Sequence, residues 1–232
     1  MNQPVYIQIH DEIKKRIEEG EWKVGDKLPS ERELSQLFKV SRMTLRQAIQ
    51  ALSDEGIIER KLGSGTYVSR ERVQEKMTGT TSFTEIMENI GKVPSSKTVS
   101  YYYTSATRSE IEKLRLQPGE RVLRMERIRY ADDLPICFEV TTIPERIAKV
   151  FSKEEVTNHF YQTLRKHGYS IGSAEQTISA SVSNDKISEY LSIDKKSAIL
   201  RLRQVTYLED MNVFEYVRSQ YVGNRFEFYL EK

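Results

Sequence analysis

The chain has 232 residues, 38% hydrophobic and 30% charged, with a formal net charge of +2. That length allows one large domain or two modest ones, and that composition excludes a generally disordered chain. No apolar run approaches the roughly 20 residues that span a bilayer, the near-zero charge excludes nucleic-acid binding through whole-protein electrostatics, and the lone Cys137 excludes an internal disulfide.

The N-terminus, MNQPVYIQIHDEIKK, reads as a helix start rather than a signal peptide, which with the single cysteine predicts a cytoplasmic protein. Val5, Ile9, Ile13 and Ile17 form an i, i+4 stripe on a helix from Pro4 to Glu19, closed by Gly20, and its acidic outer face should not lie along nucleic acid. Residues 21–27 are a connecting turn with Trp22 as a core plug. Ser30 followed by Glu33 is a capping-box pattern, with Leu34, Leu37 and Phe38 on one face of the helix it opens. Ser41 caps a second helix whose Leu45, Ala48, Ile49 and Leu52 face inward, while Arg42, Met43, Arg46, Gln47 and Gln50 face out. Arginine and glutamine are the side chains that read guanine and adenine edges in a major groove. Two helices around a tight turn with that outer face are either a DNA-reading helix-turn-helix or an ordinary corner with a solvated side. The sequel favours the first: strand 57–62, glycine tip Gly63-Ser64-Gly65 and returning strand 66–69 make a hairpin, a wing with a basic strand end at Arg60 and Lys61.

The run PSERELSQLFKVSRMTLRQAIQALSDEGIIERKLGSGTYVS resembles the winged helix-turn-helix of the GntR family of bacterial transcription regulators. The resemblance implies that Arg32, Ser41, Arg42, Thr44, Arg46 and Gly63 contact operator DNA, with Lys61 and Gly65 as further candidates. Between residues 39 and 72, seven cations (Lys39, Arg42, Arg46, Arg60, Lys61, Arg70, Arg72) face four acids (Asp54, Glu55, Glu59, Glu71). So small an excess suggests a homodimer that doubles the phosphate contacts.

Residues 70–81 are polar without a steady period and read as a linker between a DNA-binding domain (1–69) and a second domain (82–232). A short helix runs from Ser82 to Ile90, and Lys97 to Thr104 is β-prone. Residues from Ser109 (SEIEKLRLQPGERVLRMERIRYADDLPICFE) then echo those from Asp185 (DKISEYLSIDKKSAILRLRQVTYLEDMNVFE). Leu114 pairs with Leu191, Leu123 with Leu200, Tyr130 with Tyr207 and Glu139 with Glu215, one residue slipping in the hairpin. The echo predicts one antiparallel sheet built from two related halves, unless it is the shared composition of two helix-strand-hairpin units. Between them Ser152 to Lys166 reads as one helix and Ser170 to Ser183 as a long strand; Asn224 to Leu230 is a final strand. The fold class is therefore α+β in two domains, the second mainly antiparallel with helices.

Thr81-Ser82-Phe83-Thr84-Glu85, RIRYADDLPICFE (127–139) and FEYVRSQYVGNRF (214–226) are similar to the UTRA effector-binding domain of the HutC-type branch of the GntR family. That resemblance implies a chorismate-lyase-like fold holding a small effector. Arg127 and Arg129, two apart on a strand, share a face. They suit a phosphate or carboxylate, or else pair with Glu139 across the hairpin or lie in solvent. By resemblance to sugar-phosphate-responsive relatives, Arg127 and Arg129 with Ser82, Phe83 and Thr84 hold the anion, and Glu139, Glu215 and Tyr221 face the sugar hydroxyls. Where those relatives place a serine in the mid-domain helix, this chain aligns His159, which puts the inducer's identity in doubt. The expected function is a repressor released from its operator by a small anionic metabolite, a sugar phosphate first. The alternatives are a lyase-like enzyme fused to a DNA-binding domain, and a module that dimerises without a ligand. Three histidines, one cysteine, no phosphate loop and no metal-ligand spacing argue against catalysis, cofactor or metal.

Overall fold

The computed structural model describes residues 3–61, 63–69, 72–77 and 80–230. Leu62 of the predicted wing strand, and Arg70, Glu71, Thr78 and Gly79 of the predicted linker, lie outside the described residues. The chain divides into two compact units, Met1–Arg72 and Val73–Lys232.

In the first unit, α1 (Val5–Glu18), α2 (Glu31–Leu37) and α3 (Arg42–Asp54) precede a hairpin of β1 (Ile58–Lys61) and β2 (Gly65–Val68). The apolar stripe of α1 buries Ile9 and Ile13, and the inward face of α3 buries Leu45, Ala48, Ile49 and Leu52 against Leu34, Ile58 and Val68. Each such branched aliphatic side chain contributes about 1.5–3 kcal/mol, which is what holds so short an α2 in place. Val5 stays exposed, so the stripe is shorter than predicted. The capping box at α2 is complete: Ser30 Oγ accepts from the Glu33 amide (3.3 Å), and a Glu33 carboxylate oxygen accepts from the Ser30 amide (2.8 Å). Ser41 Oγ accepts from the Thr44 amide at 3.1 Å and opens α3. Trp22 packs half-buried at this core, with the Arg16 guanidinium 5.9 Å from its ring. Part of the predicted connecting turn extends the wing, since the Leu28 amide donates to the Thr66 carbonyl and the Val68 amide to the Asp26 carbonyl. The wing turns through Gly63 at φ 72° and Gly65 at φ 129°; the latter conformation is essentially reserved for glycine.

The second unit contains β3 (Val73–Lys76), α4 (Phe83–Asn89), β4 (Pro94–Ser105), α5 (Arg108–Leu114), β5 (Arg121–Ala131), β6 (Leu134–Pro144), α6 (Glu145–Ala148), α7 (Lys153–Asn158), α8 (Phe160–Lys166), β7 (Ile171–Val182), α9 (Asp185–Leu191), β8 (Ala198–Leu208), β9 (Val213–Val222) and β10 (Phe226–Tyr229). Six strands form an antiparallel sheet in the order β4-β5-β6-β9-β8-β7. That order is the sequence echo made visible: β4-α5-β5-β6 and β7-α9-β8-β9 are two copies of one unit that meet at β6 and β9. The match extends to detail. Both helices end in a left-handed residue, Arg115 and Ser192, and both hairpins shift register at the paired tyrosines, Tyr130 and Tyr207. Helices α5 and α9 cover one face of the sheet through Leu114 and Leu191. On the other face, Phe160, Tyr161 and Leu164 of α8 pack on Leu123, Met125 and Phe214.

Two predicted elements differ. The helix predicted from Ser152 to Lys166 is broken at His159, whose backbone sits at φ −136°, ψ 44°. The break releases the Thr157 carbonyl from a helical ladder, and it accepts from Arg127 Nη1 at 2.7 Å. Within the predicted linker, residues 73–76 form a strand because Val73 and Glu75 alternate inward. Its partner is β10, and the two pair in parallel, apart from the main sheet.

Candidate functional site

The first unit leaves most of the residues expected to contact DNA exposed. Arg32, Ser41, Arg42 and Arg46 are exposed, as are Lys61 and Gly63 on the wing, while Thr44 and Gly65 are half-buried. A residue that the sequence reading missed organises them. Glu31 accepts from Arg46 Nη2 at 3.3 Å and from Arg60 Nη2 at 3.1 Å, so one carboxylate bridges α3 and the wing. Ser41 and Thr44 share a hydroxyl contact at 2.9 Å, so their capping role precedes any contact with DNA.

In the second unit a cavity with about 760 Å³ of space free of protein atoms, part of it open to solvent, lies on the α8 face of the sheet. All nine predicted effector residues line it: Ser82, Phe83, Thr84, Arg127, Arg129, Glu139, His159, Glu215 and Tyr221. The chain brings them together for identifiable reasons. Arg127 and Arg129 project from alternate positions of β5, and Glu139 stands opposite Arg127 in the β5–β6 register. Glu215 stands on β9 opposite Thr206, the place that Cys137 holds opposite Arg129 in the first copy, so the strand register does not keep the pairing of Glu139 with Glu215 read from the echo. Ser82 starts α4, where it caps the helix by accepting from the Glu85 amide at 3.2 Å. His159 arrives at the break between α7 and α8.

The two arginines are in different states. Arg127 donates through Nε to Glu139 at 3.1 Å, through Nη2 to the same oxygen, and through Nη1 to Thr157. Arg129 is buried to 4% exposure, with its guanidinium 4.6 Å from the Phe83 ring and one hydrogen bond to Thr84 Oγ1 at 3.3 Å. Its Nε is buried with no partner among the described residues. Burial, then the neighbouring Arg127, brings its pKa down to about 10. A buried cation so short of acceptors is an anion site in waiting.

The carboxyls divide likewise. Burial pushes Glu139 up, but Arg127 and Arg129 outweigh it and hold the group below its ordinary value. Glu215 is raised to about 7, by burial first and the charge of Glu139 after it, against a hydrogen bond from Tyr161 that pulls it down. Glu75, absent from the sequence-based site, also lines the cavity, and burial raises it to about 7. Tyr161 donates to Glu215, and Gln204 Nε2 to Thr206 Oγ1 at 3.0 Å. Tyr161 and Gln204 also went unpredicted, though the echo carried a signal: Gln204 takes the place of Arg127 in the second copy, and Thr206 that of Arg129. The first half thus supplies the cations and the second neutral groups, three strand spacings or roughly 14 Å away across the sheet.

These shifts set the pH response of this unit. Glu75 and Glu215 hold protons more tightly folded than unfolded. Their contribution to stability is therefore full below about pH 4.5, declines as the pH rises to about 7, and is flat above. Thermal melts between pH 5 and 8 should show this decline, and Glu75→Gln should remove a share on the order of 3 kcal/mol. Equal slopes in the wild type and Glu75→Gln would refute it.

Residues 5–68 match the family described as bacterial regulatory proteins, gntR family, and residues 89–227 match the UTRA domain. The chain belongs to the GntR family. It is a DNA-binding transcription regulator with a UTRA domain. This GntR-family regulator is 32% identical to the HTH-type transcriptional repressor NagR of Bacillus subtilis (strain 168), over 97% of this chain and 93% of the relative. It is 33% identical to the mannosyl-D-glycerate transport/metabolism system repressor MngR of Escherichia coli (strain K12), over 99% and 96%. Among solved structures, a GntR-family regulator from Enterococcus faecalis V583 is 56% identical, with a TM-score of 0.57 over 60% of this chain and all of that one. PhnF from Mycobacterium smegmatis, 26% identical, superposes with a TM-score of 0.70 over 97% and 98%. No helix among the described residues is long and apolar enough to cross a membrane.

Proposed function

We propose that this regulator is a cytoplasmic homodimeric repressor that leaves its operator when a sugar phosphate fills the cavity of its second unit. The observation that carries the reading is Arg129, a buried guanidinium with an unpartnered Nε on the cavity wall. A phosphate there would supply the acceptors it lacks. The other polar residues of the cavity wall, Glu139, Glu215, Gln204 and Tyr161, suit the hydroxyls of a sugar. The names of the relatives support the same direction, since two are repressors and one is named for a sugar acid. DNA contact falls to Arg32, Ser41, Arg42, Thr44 and Arg46 with Lys61, Gly63 and Gly65 on the wing. The effector acts by binding the DNA-incompetent arrangement of the dimer more tightly than the competent one.

The test is thermal unfolding of the full chain against hexose 6-phosphates and the corresponding free sugars. A ligand at 100 times its Kd adds about 2.7 kcal/mol to the folded state. A melting shift that requires the phosphate is expected; a shift of equal size with the free sugar, or none with any phosphate, would overturn the anion assignment.

A further inference from the structure

Three carboxyls line the cavity, and two are accounted for. Glu139 accepts from Arg127 and from Thr141 Oγ1 at 3.2 Å, and Glu215 accepts from Tyr161 and from Thr206 Oγ1 at 3.1 Å. Glu75 differs. Its side chain is 7% exposed, and its Oε2 is buried with no hydrogen-bond partner among the described residues. It stands opposite Phe228 in the β3–β10 pair, between Val73, which points into the same core, and the cavity. Tyr221 and Cys137, on the central strands β9 and β6, both feel its charge.

An orphaned buried carboxyl is costly in either protonation state. Ionised, it has neither a cation nor a donor; protonated, its hydroxyl lacks an acceptor as the oxygen lacks a donor. Strand β3 nevertheless holds it at the wall of a cavity whose arginines do not bond it: Arg127 is held by Glu139, and Arg129 donates to Thr84 and leaves its Nε unpartnered. A ligand group that answers this site must bring donors and, best, a positive charge. A protonated amine does both, and it offsets the added negative charge of a phosphate bound at the arginines.

We propose that Glu75 is a specificity-determining residue of the effector pocket, a carboxylate on β3 that receives a protonated amino group of the ligand. The proposal rests on the sugar-phosphate reading above and narrows it to effectors bearing an amine as well as the anion. It also gives β3, the first element after the DNA-binding unit in the chain, a direct contact with the effector.

The experiment is calorimetric titration of the full chain with glucosamine 6-phosphate and glucose 6-phosphate, for the wild type, Glu75→Gln and Glu75→Leu. The wild type should prefer the amine-bearing ligand by about 10- to 100-fold, the size of one charge-assisted hydrogen bond in a buried site. In Glu75→Gln, which keeps the shape but loses the charge, the preference should fall to within about three-fold, and Glu75→Leu should match it. Melting curves identify a variant that has lost its fold, and Glu75→Gln, an isostere without a charge to bury, should melt no lower than the wild type. Equal affinities for the two ligands in the wild type, or a preference retained in Glu75→Gln, would overturn the assignment of Glu75 and leave the phosphate reading intact. Binding of neither ligand would overturn both.

Discussion

Arg129→Ala is expected to abolish phosphate-dependent stabilisation of the second unit without lowering the stability of the ligand-free protein. Arg127→Ala should lose both. The two side chains lie two residues apart on β5 and face the same cavity, yet their surroundings make them unequal. Removing Arg127 leaves Glu139 buried and unpaired, and breaking a buried ion pair costs about 3–5 kcal/mol. Removing Arg129 deletes a cation that burial already disfavours and whose Nε has no partner, at the expense of one 3.3 Å bond to Thr84, the Phe83 ring contact and the smaller share of the field on Glu139. Thermal melts of both variants, with and without a hexose 6-phosphate, separate the cases. Arg129→Ala should melt at or above the wild-type temperature and give no ligand shift, and Arg127→Ala should melt several degrees lower. A normal ligand shift in Arg129→Ala would show that the anion binds elsewhere. Equal melting losses in the two variants would show that Arg127 is not the structural partner of Glu139.

This asymmetry between adjacent arginines was not visible in the sequence, although their shared face was. A two-residue spacing on a strand fixes which side of the sheet a side chain joins, and Arg127 and Arg129 do share the cavity wall. It also left open whether the arginines pair across the hairpin or await a ligand. The answer is divided: Arg127 pairs with Glu139, and Arg129 retains an orphan nitrogen. That division comes from the α7–α8 break, which delivers the Thr157 carbonyl to Arg127. No periodicity marks the break, because Val156, Phe160 and Leu164 keep helical spacing across it. The internal echo was legible at the level of Leu114, Leu191 and the two tyrosines, since it is written in buried positions and turn residues. Its consequence was not drawn from it: the second copy carries Gln204 and Thr206 where the first has arginines, so the cavity has a charged side and a neutral side. Glu75 escaped because two inward residues, Val73 and Glu75, are too few to announce a strand inside a polar stretch. Its partner β10 lies some 150 residues further on.

The other large effect belongs to the first unit. Arg46→Ala should weaken operator binding by about 1–3 kcal/mol per recognition helix, hence about 30-fold or more for the proposed dimer that inserts two. The free-state ion pair does not offset this. Arg46 is mostly exposed and meets Glu31 at 3.3 Å, and such surface pairs are worth roughly 0–1 kcal/mol. Glu31 instead holds Arg46 and Arg60 near one another in the free protein. Arg46→Lys keeps the charge but loses the planar fork, so it should retain binding to random duplex while its preference for the operator falls. Since Leu45, Ala48 and Ile49 are the buried residues of α3 and the Arg46 side chain is mostly exposed, the melting temperature should stay within a degree or two of the wild type. Fluorescence anisotropy with operator and scrambled duplexes, over a series of salt concentrations, reads both quantities. Loss of affinity for operator and scrambled DNA in equal measure would make Arg46 a phosphate contact. Unchanged operator affinity would remove it from the interface, and with it the reading of α3 as the helix that enters the major groove.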